Sequence, residues 1–127
     1  MPSTNQYVLT APWLLAAGAA QAACVYPQAP QNFPNGASAT KEEMLTAQTA
    51  VKTYSKEVQD VYLGCLEKEK GDAIAALDPA DAEAYEQKKK AIEEIHAKKH
   101  NAAVDELSAI AAHWSEEIKA FNAKGKE

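Results

Sequence analysis

Apolar residues between Thr40 and Leu66 recur on the spacing of a single buried helix face. Met44, Val51, Val58 and Cys65 stand seven residues apart, and Ala47, Tyr54 and Val61 fill the second position of the same seam. This alternation of three and four keeps one stripe of a helix against a partner. Thr40-Lys41-Glu42-Glu43 opens the segment as a capping box: the threonine oxygen accepts from the Glu43 backbone N–H, and that carboxylate reaches back. The helix is predicted over 40–70, closing at Lys70-Gly71, where a glycine can take the left-handed cap and two lysines occupy the last turn. Gly64 lies inside it at a cost of roughly 1 kcal/mol relative to alanine. Two readings explain that glycine, a close approach of another segment beside Cys65 or a tolerated surface position.

A second stripe reads Tyr85, Ile92, Ile95, Ala103, Leu107, Ile110, Trp114, Ile118 and Phe121, with no glycine or proline from Ala80 to Lys124. It predicts one helix of about forty residues over 79–123, with Asp78 as N-cap and Pro79 at the first helical position. The stripe is dense after Leu107 and thin between His96 and Ala102, where a bend or fray is expected. Residues 71–78 form the connector, in which Ala73 to Leu77 make a short helical turn that packs Ile74 and Leu77 over the end of the pair. Two amphipathic helices joined so closely imply an antiparallel hairpin with a coiled-coil-like seam. The second helix is the longer, so its end carrying Trp114, Ile118 and Phe121 either packs on the preceding arm or projects.

That arm, residues 23–39, contains VYPQAPQNFPNG, with prolines at 27, 30 and 34. The spacing favours an extended, polyproline-like path and excludes a helix, and Asn35-Gly36 is a turn signal. Upstream, Val8 to Ala20 has the length of a signal-peptide apolar region, and Ala20-Gln21-Ala22 supplies small residues for cleavage after Ala22. Residues 1–22 are therefore expected to be a signal peptide, although no lysine or arginine precedes Val8. A buried N-terminal helix is opposed by Pro12 and by the lack of a polar face. Acylation of Cys24 is opposed by Gln21, which stands where a lipobox has leucine, and by the unpaired Cys65 it would leave. In an oxidising compartment the two cysteines, Cys24 and Cys65, most simply form one disulfide. An extended arm covers ~3.1 Å per residue against ~1.5 Å for a helix, so the arm reaches back antiparallel along the first helix with Tyr26 and Phe33 tucked against it. The expected fold is all-α: an antiparallel helical hairpin strapped by a proline-rich arm and one disulfide.

Composition narrows function more than it defines it. The chain of 127 residues is one domain, and its 13 basic residues, all lysine, face 18 acidic ones for a net charge of -5. Without arginine and with that sign, nucleic-acid binding is excluded. Two helices and an arm bury little, so a staple or a partner is needed; if the disulfide does not suffice, two hairpins would pair into a four-helix bundle. Glu93, His96 and His100 share one helix face, and two histidines a turn apart can chelate zinc or copper. Against this, the HExxH pattern is absent and Lys98 and Lys99 flank the pair, so the residues read first as a solvated polar face, ahead of a partner-binding edge or a metal site. Met44 reads as core filler rather than a haem ligand, no CxxCH is present, and His113 reads as a half-exposed structural histidine. Lys88 to Lys90 read as a solvated face with i,i+4 pairs. No serine has a histidine-acid context and no phosphate loop occurs. No catalytic residue, cofactor or metal ligand is therefore assigned.

The mature chain resembles a set of small uncharacterised exported proteins of proteobacteria, in which a cysteine and prolines precede a P-x-G-x-x-A-T-x-x-E-M lead-in to a helix. Here these are Pro34, Gly36, Ala39, Thr40, Glu43 and Met44. The similarity continues through AVKTYSKEVQDVYLGCL (Ala50 to Leu66) and HNAAVDEL (His100 to Leu107). It implies a shared hairpin and disulfide and brings no known activity. Where that pattern has an aromatic followed by asparagine, this chain has Trp114-Ser115, so no role of that asparagine carries over. The expected function is non-catalytic: a periplasmic or secreted envelope accessory that acts on an unknown protein partner or by self-association, without stable membrane insertion. Two alternatives are a metal-binding or metal-buffering protein using His96 and His100, and a small periplasmic chaperone-like hairpin with an exposed apolar patch.

Overall fold

A computed structural model describes residues 23–125. The expected signal peptide, residues 1–22, and its cleavage after Ala22 lie outside the described residues. Helix α1 (Lys41–Lys56) runs through one π-helical turn (Glu57–Tyr62) into α2 (Leu63–Ala75), and α3 (Ala82–Lys124) returns antiparallel to them. Among the described residues there is no strand, and no helix is long and apolar enough to cross a membrane. The capping box at Thr40 forms as the sequence predicts, with Thr40 Oγ1 accepting from Glu43 N–H at 3.1 Å and Glu43 Oε1 from Thr40 N–H at 3.0 Å. The bond from the Thr40 backbone, followed by that from its side chain, holds the Glu43 carboxyl below its ordinary value.

The first helical rod does not stop at Gly71. It continues to Ala75, because a glycine in a helix interior costs stability without breaking the hydrogen-bond ladder. The Lys68–Asp72 ion pair of 2.7 Å spans the glycine, and alanines follow it. The predicted turn over Ala73 to Leu77 is thus mostly the last turn of this rod. Helix α3 also starts later than Asp78-Pro79. Asp78 Oδ1 accepts from Ala80 N–H at 2.9 Å, closing a turn around Pro79, and Asp81 is the N-cap, accepting from Ala84 N–H at 3.2 Å. From there α3 is unbroken through 96–102, with no fray.

The π turn resets the seam. Leu63 N–H donates to Val58 O, five residues back, so the turn holds one residue more than an α-helical one. Tyr54, Val58, Tyr62 and Leu66, each four apart, all become buried, and Val58 is 0 % exposed. Val61, which heptad spacing places inside, is 65 % exposed. Cys65 moves to the flank of the seam, where the arm runs and where Cys24 bonds it. That bond takes up the sulfur an acyl anchor would need.

Among the described residues two clusters make the core. One packs Tyr54, Val58, Tyr62 and Leu66 on Ala103, with Tyr26, Leu107 and Ile110 at its margin. The other joins Met44 and Ala39 to Trp114, with Phe33, Val51 and Phe121 around them. The arm lies antiparallel along the first rod, as expected. The end of α3 packs on the arm rather than projecting. Its stripe is rotated from the apolar pattern: Ile95 is 53 % exposed and Ile118 also faces solvent, while His96 and Glu117, the residues next to them, turn inward.

Of the described glycines, Gly36 is the one the fold requires. A Cβ there would lie 2.0 Å from Glu117 O, whereas around Gly64 and Gly71 nothing lies within 4 Å. Gly64 is therefore a surface glycine, and the close approach falls at the arm's turn. Gly36→Ala is expected to destabilise by about 2 kcal/mol, while Gly64→Ala stabilises by up to about 1 kcal/mol; denaturant midpoints of the two variants should move in opposite directions. The disulfide spans a sequence separation of 41, for which loop closure contributes on the order of 4 kcal/mol. Cys65→Ser should lower the melting temperature by more than about 10 °C, and unchanged melting would show that the strap is energetically idle.

Candidate functional site

The chemistry-bearing side chains gather in two places: the groove that holds the arm, and a polar contact between α2 and α3 beyond the core. In the groove, proline spacing keeps the arm extended, so alternate portions of it face the helices. Cys24 bonds Cys65 with Cα atoms 5.8 Å apart. Two residues later the Tyr26 ring stands edge-on to Tyr62 (centroids 5.0 Å apart) and Tyr54 (6.3 Å). The hydroxyls of Tyr26 and Tyr54 share a hydrogen bond. Burial pushes the Tyr54 phenol far above its ordinary range, and the bond to Tyr26 adds to this. Farther along, Phe33 lies on His113 at 4.4 Å and is stacked with Trp114 at 6.1 Å.

The turn that ends the arm is built by Asn35, whose carbonyl accepts from Ser38 N–H and Ala39 N–H while its Oδ1 accepts from Ala37 N–H. This presents Gly36 to α3, where its N–H donates to Glu117 Oε1 at 2.8 Å. Glu117 also faces His113 Nε2 at 3.3 Å. Lys124 Nζ donates to Ala39 O and lies 4.9 Å from the centroid of the Phe121 ring. A carboxylate within an apolar stripe is the one sequence signal that marks Glu117, and it becomes legible only once the turn is seen against it.

The second place is the contact of Glu69 with His96. His96 Nε2 lies 2.8 Å from Glu69 Oε1, and Nδ1 lies 2.9 Å from Ile92 O. Lys99 Nζ is 3.5 Å from the same Glu69 oxygen. The His96 side chain is 11 % exposed and that of Glu69 22 %. Burial pushes the Glu69 carboxyl up, but the hydrogen bond from His96 and the charges of Lys99 and His96 outweigh it and hold the group below its ordinary value. No local pattern announces Glu69, because only the hairpin register brings it opposite His96.

The candidate metal ligands share a cleft but form no ligand set among the described residues. His96 and His100 line one shallow cleft of about 220 Å³ with Glu93, but both ring nitrogens of His96 face structural oxygens. Among the described residues no group of three or more His, Cys, Asp or Glu side chains is placed to hold a metal. Met44 is buried in the core, and His113 is half exposed against Phe33, as the sequence predicts for each. Comparison of the chain with known protein families, with characterised proteins and with solved structures finds no match.

The depressed Glu69 sets a sign for pH. Its contribution is present above the unfolded carboxyl value of about 4.3 and is lost as pH falls through the lower folded value. Wild type is therefore expected to lose more melting temperature than Glu69→Gln between about pH 6 and about pH 3; parallel curves would show that the charged cluster adds no stability.

Proposed function

We propose that this chain is an exported, non-catalytic helical protein that acts through its surface on a protein partner in the periplasm or outside the cell. The carrying observation is the Cys24–Cys65 disulfide: a covalent strap across a separation of 41 residues persists in oxidising compartments and is kept reduced in the cytosol. The half-buried groups with chemical potential support the non-catalytic part. Tyr26 and Tyr54 engage each other, Glu69 engages His96, and Glu117 holds the Gly36 turn, so each is already committed to a structural contact. The apolar run ahead of Ala22 supports export, and the resemblance to small exported proteobacterial helical proteins agrees with it.

The test is fractionation of bacterial cells expressing the full chain, followed by intact mass measurement with and without thiol alkylation. The expected species starts after Ala22, lies in the periplasm or medium, and resists alkylation until reduced. A cytoplasmic chain with both thiols free would overturn the reading.

A further inference from the structure

The arm is held the way a bound peptide is held. Among the described residues, no backbone hydrogen bond joins the stretch from Cys24 to Pro34 to the helices. Its attachment comes from two aromatic anchors seven residues apart, Tyr26 among Tyr54 and Tyr62, and Phe33 on His113 and Trp114. Pro27 and Pro34 each follow an anchor and hold the backbone extended. Between the anchors Ala29 packs on the core cluster, while Pro30, Gln31 and Asn32 border an open cleft of about 600 Å³ against the start of α1. Aromatic-lined grooves that take proline-rich segments through spaced anchors, with little backbone pairing, are a recurring mode of peptide recognition.

The helices keep contacts of their own beneath the arm. Val58 is fully buried, Leu66 packs in the same cluster as Ala103, and Glu69 bonds His96. The arm is tied at both ends, by the disulfide at Cys24 and by the Gly36 turn on α3. Cutting one tie leaves a segment tethered at one end, whose anchors a free peptide can displace by competing with a finite effective concentration.

We propose that the groove between the helices is a docking site for extended proline-rich segments of a partner protein carrying two aromatic anchors, closed in cis by the arm and opened when the Cys24–Cys65 bond is reduced. This rests on the partner-binding reading above and names the partner's chemistry. The opening step is thiol–disulfide exchange with a dithiol reductant. One thiolate of the reductant attacks a sulfur of the pair, forming a mixed disulfide and releasing the other cysteine. The second thiolate then displaces the first cysteine. The reductant leaves as its own disulfide, and Cys24 and Cys65 together take up two electrons and two protons.

The probe is a fluorescein-labelled peptide with the sequence of residues 25–34, titrated by anisotropy against the full mature chain in three forms: oxidised, dithiothreitol-reduced, and oxidised Tyr26→Ala/Phe33→Ala. In the third form the disulfide keeps the fold strapped while both anchors are gone. The peptide is expected to bind the reduced chain and the double variant at least about tenfold more tightly than the oxidised wild type, and a peptide with both aromatics replaced by alanine should bind none of them. Equal binding by all three forms, or no binding to the double variant, would overturn the proposal. So would a reduced chain that has lost its helical circular dichroism, because no groove would then remain to open. A reduced chain that elutes as an arm-exchanged dimer would assign the groove to a second copy and equally overturn docking of a partner segment. Failure here leaves the export reading, decided separately by fractionation, intact.

Discussion

An extended segment with no hydrogen-bonding partners along most of its length stays on a helix pair only if something fixes its ends, and here two unlike ties do so. At one end a covalent bond joins Cys24 to Cys65. At the other, Gly36 sits so close to α3 that no side chain fits, with its N–H on the Glu117 carboxylate. Between them the arm supplies the third body that two helices lack. Tyr26 closes the cluster around Val58, and Phe33 covers Trp114. A hairpin alone would leave those surfaces to water, and a chain this small has little other apolar area with which to compensate.

The π turn and the disulfide belong to one arrangement. Adding a residue to the seam at Glu57–Tyr62 carries Tyr62 and Leu66 to the partner helix and leaves Cys65 at its edge, within bonding distance of the arm. In an uninterrupted heptad, Cys65 would point into the hairpin and Val61 would be covered. The exposure of Val61 is the visible cost of putting the cysteine where the strap needs it.

Polar groups in the seam of α3 set position more than they add stability. Turning His96 and Glu117 inward, half-buried, at places an isoleucine could occupy exposes Ile95 and Ile118 instead, and partly buried ion pairs contribute modestly after desolvation. Each polar group, however, meets a matching group from another part of the fold: Glu69 for His96, the Gly36 amide for Glu117. Sliding one helix by a turn would strand both. The chain thus trades some apolar contact for a unique register, and the groove inherits a defined shape from it.

Periodicity, caps and prolines suffice to derive two helices, an extended arm, the strap between the cysteines and the antiparallel path of the arm, because each depends on local backbone preference or on chain length. The capping box at Thr40, the core role of Met44 and the half-exposed His113 are legible for the same reason. Helix ends are read less well: Gly71 looks like a stop but is carried through by neighbouring residues, and Asp78 spends its carboxylate on a turn. What depends on juxtaposition escapes the sequence altogether. The pairing of Glu69 with His96 and the seating of Gly36 on Glu117 join residues far apart in the chain, the π turn follows no apolar spacing that marks it, and a one-dimensional pattern carries no term for the energy of a contact it does not contain. The groove exists only in three dimensions, since its walls are two antiparallel helices and its occupant is the chain's own arm.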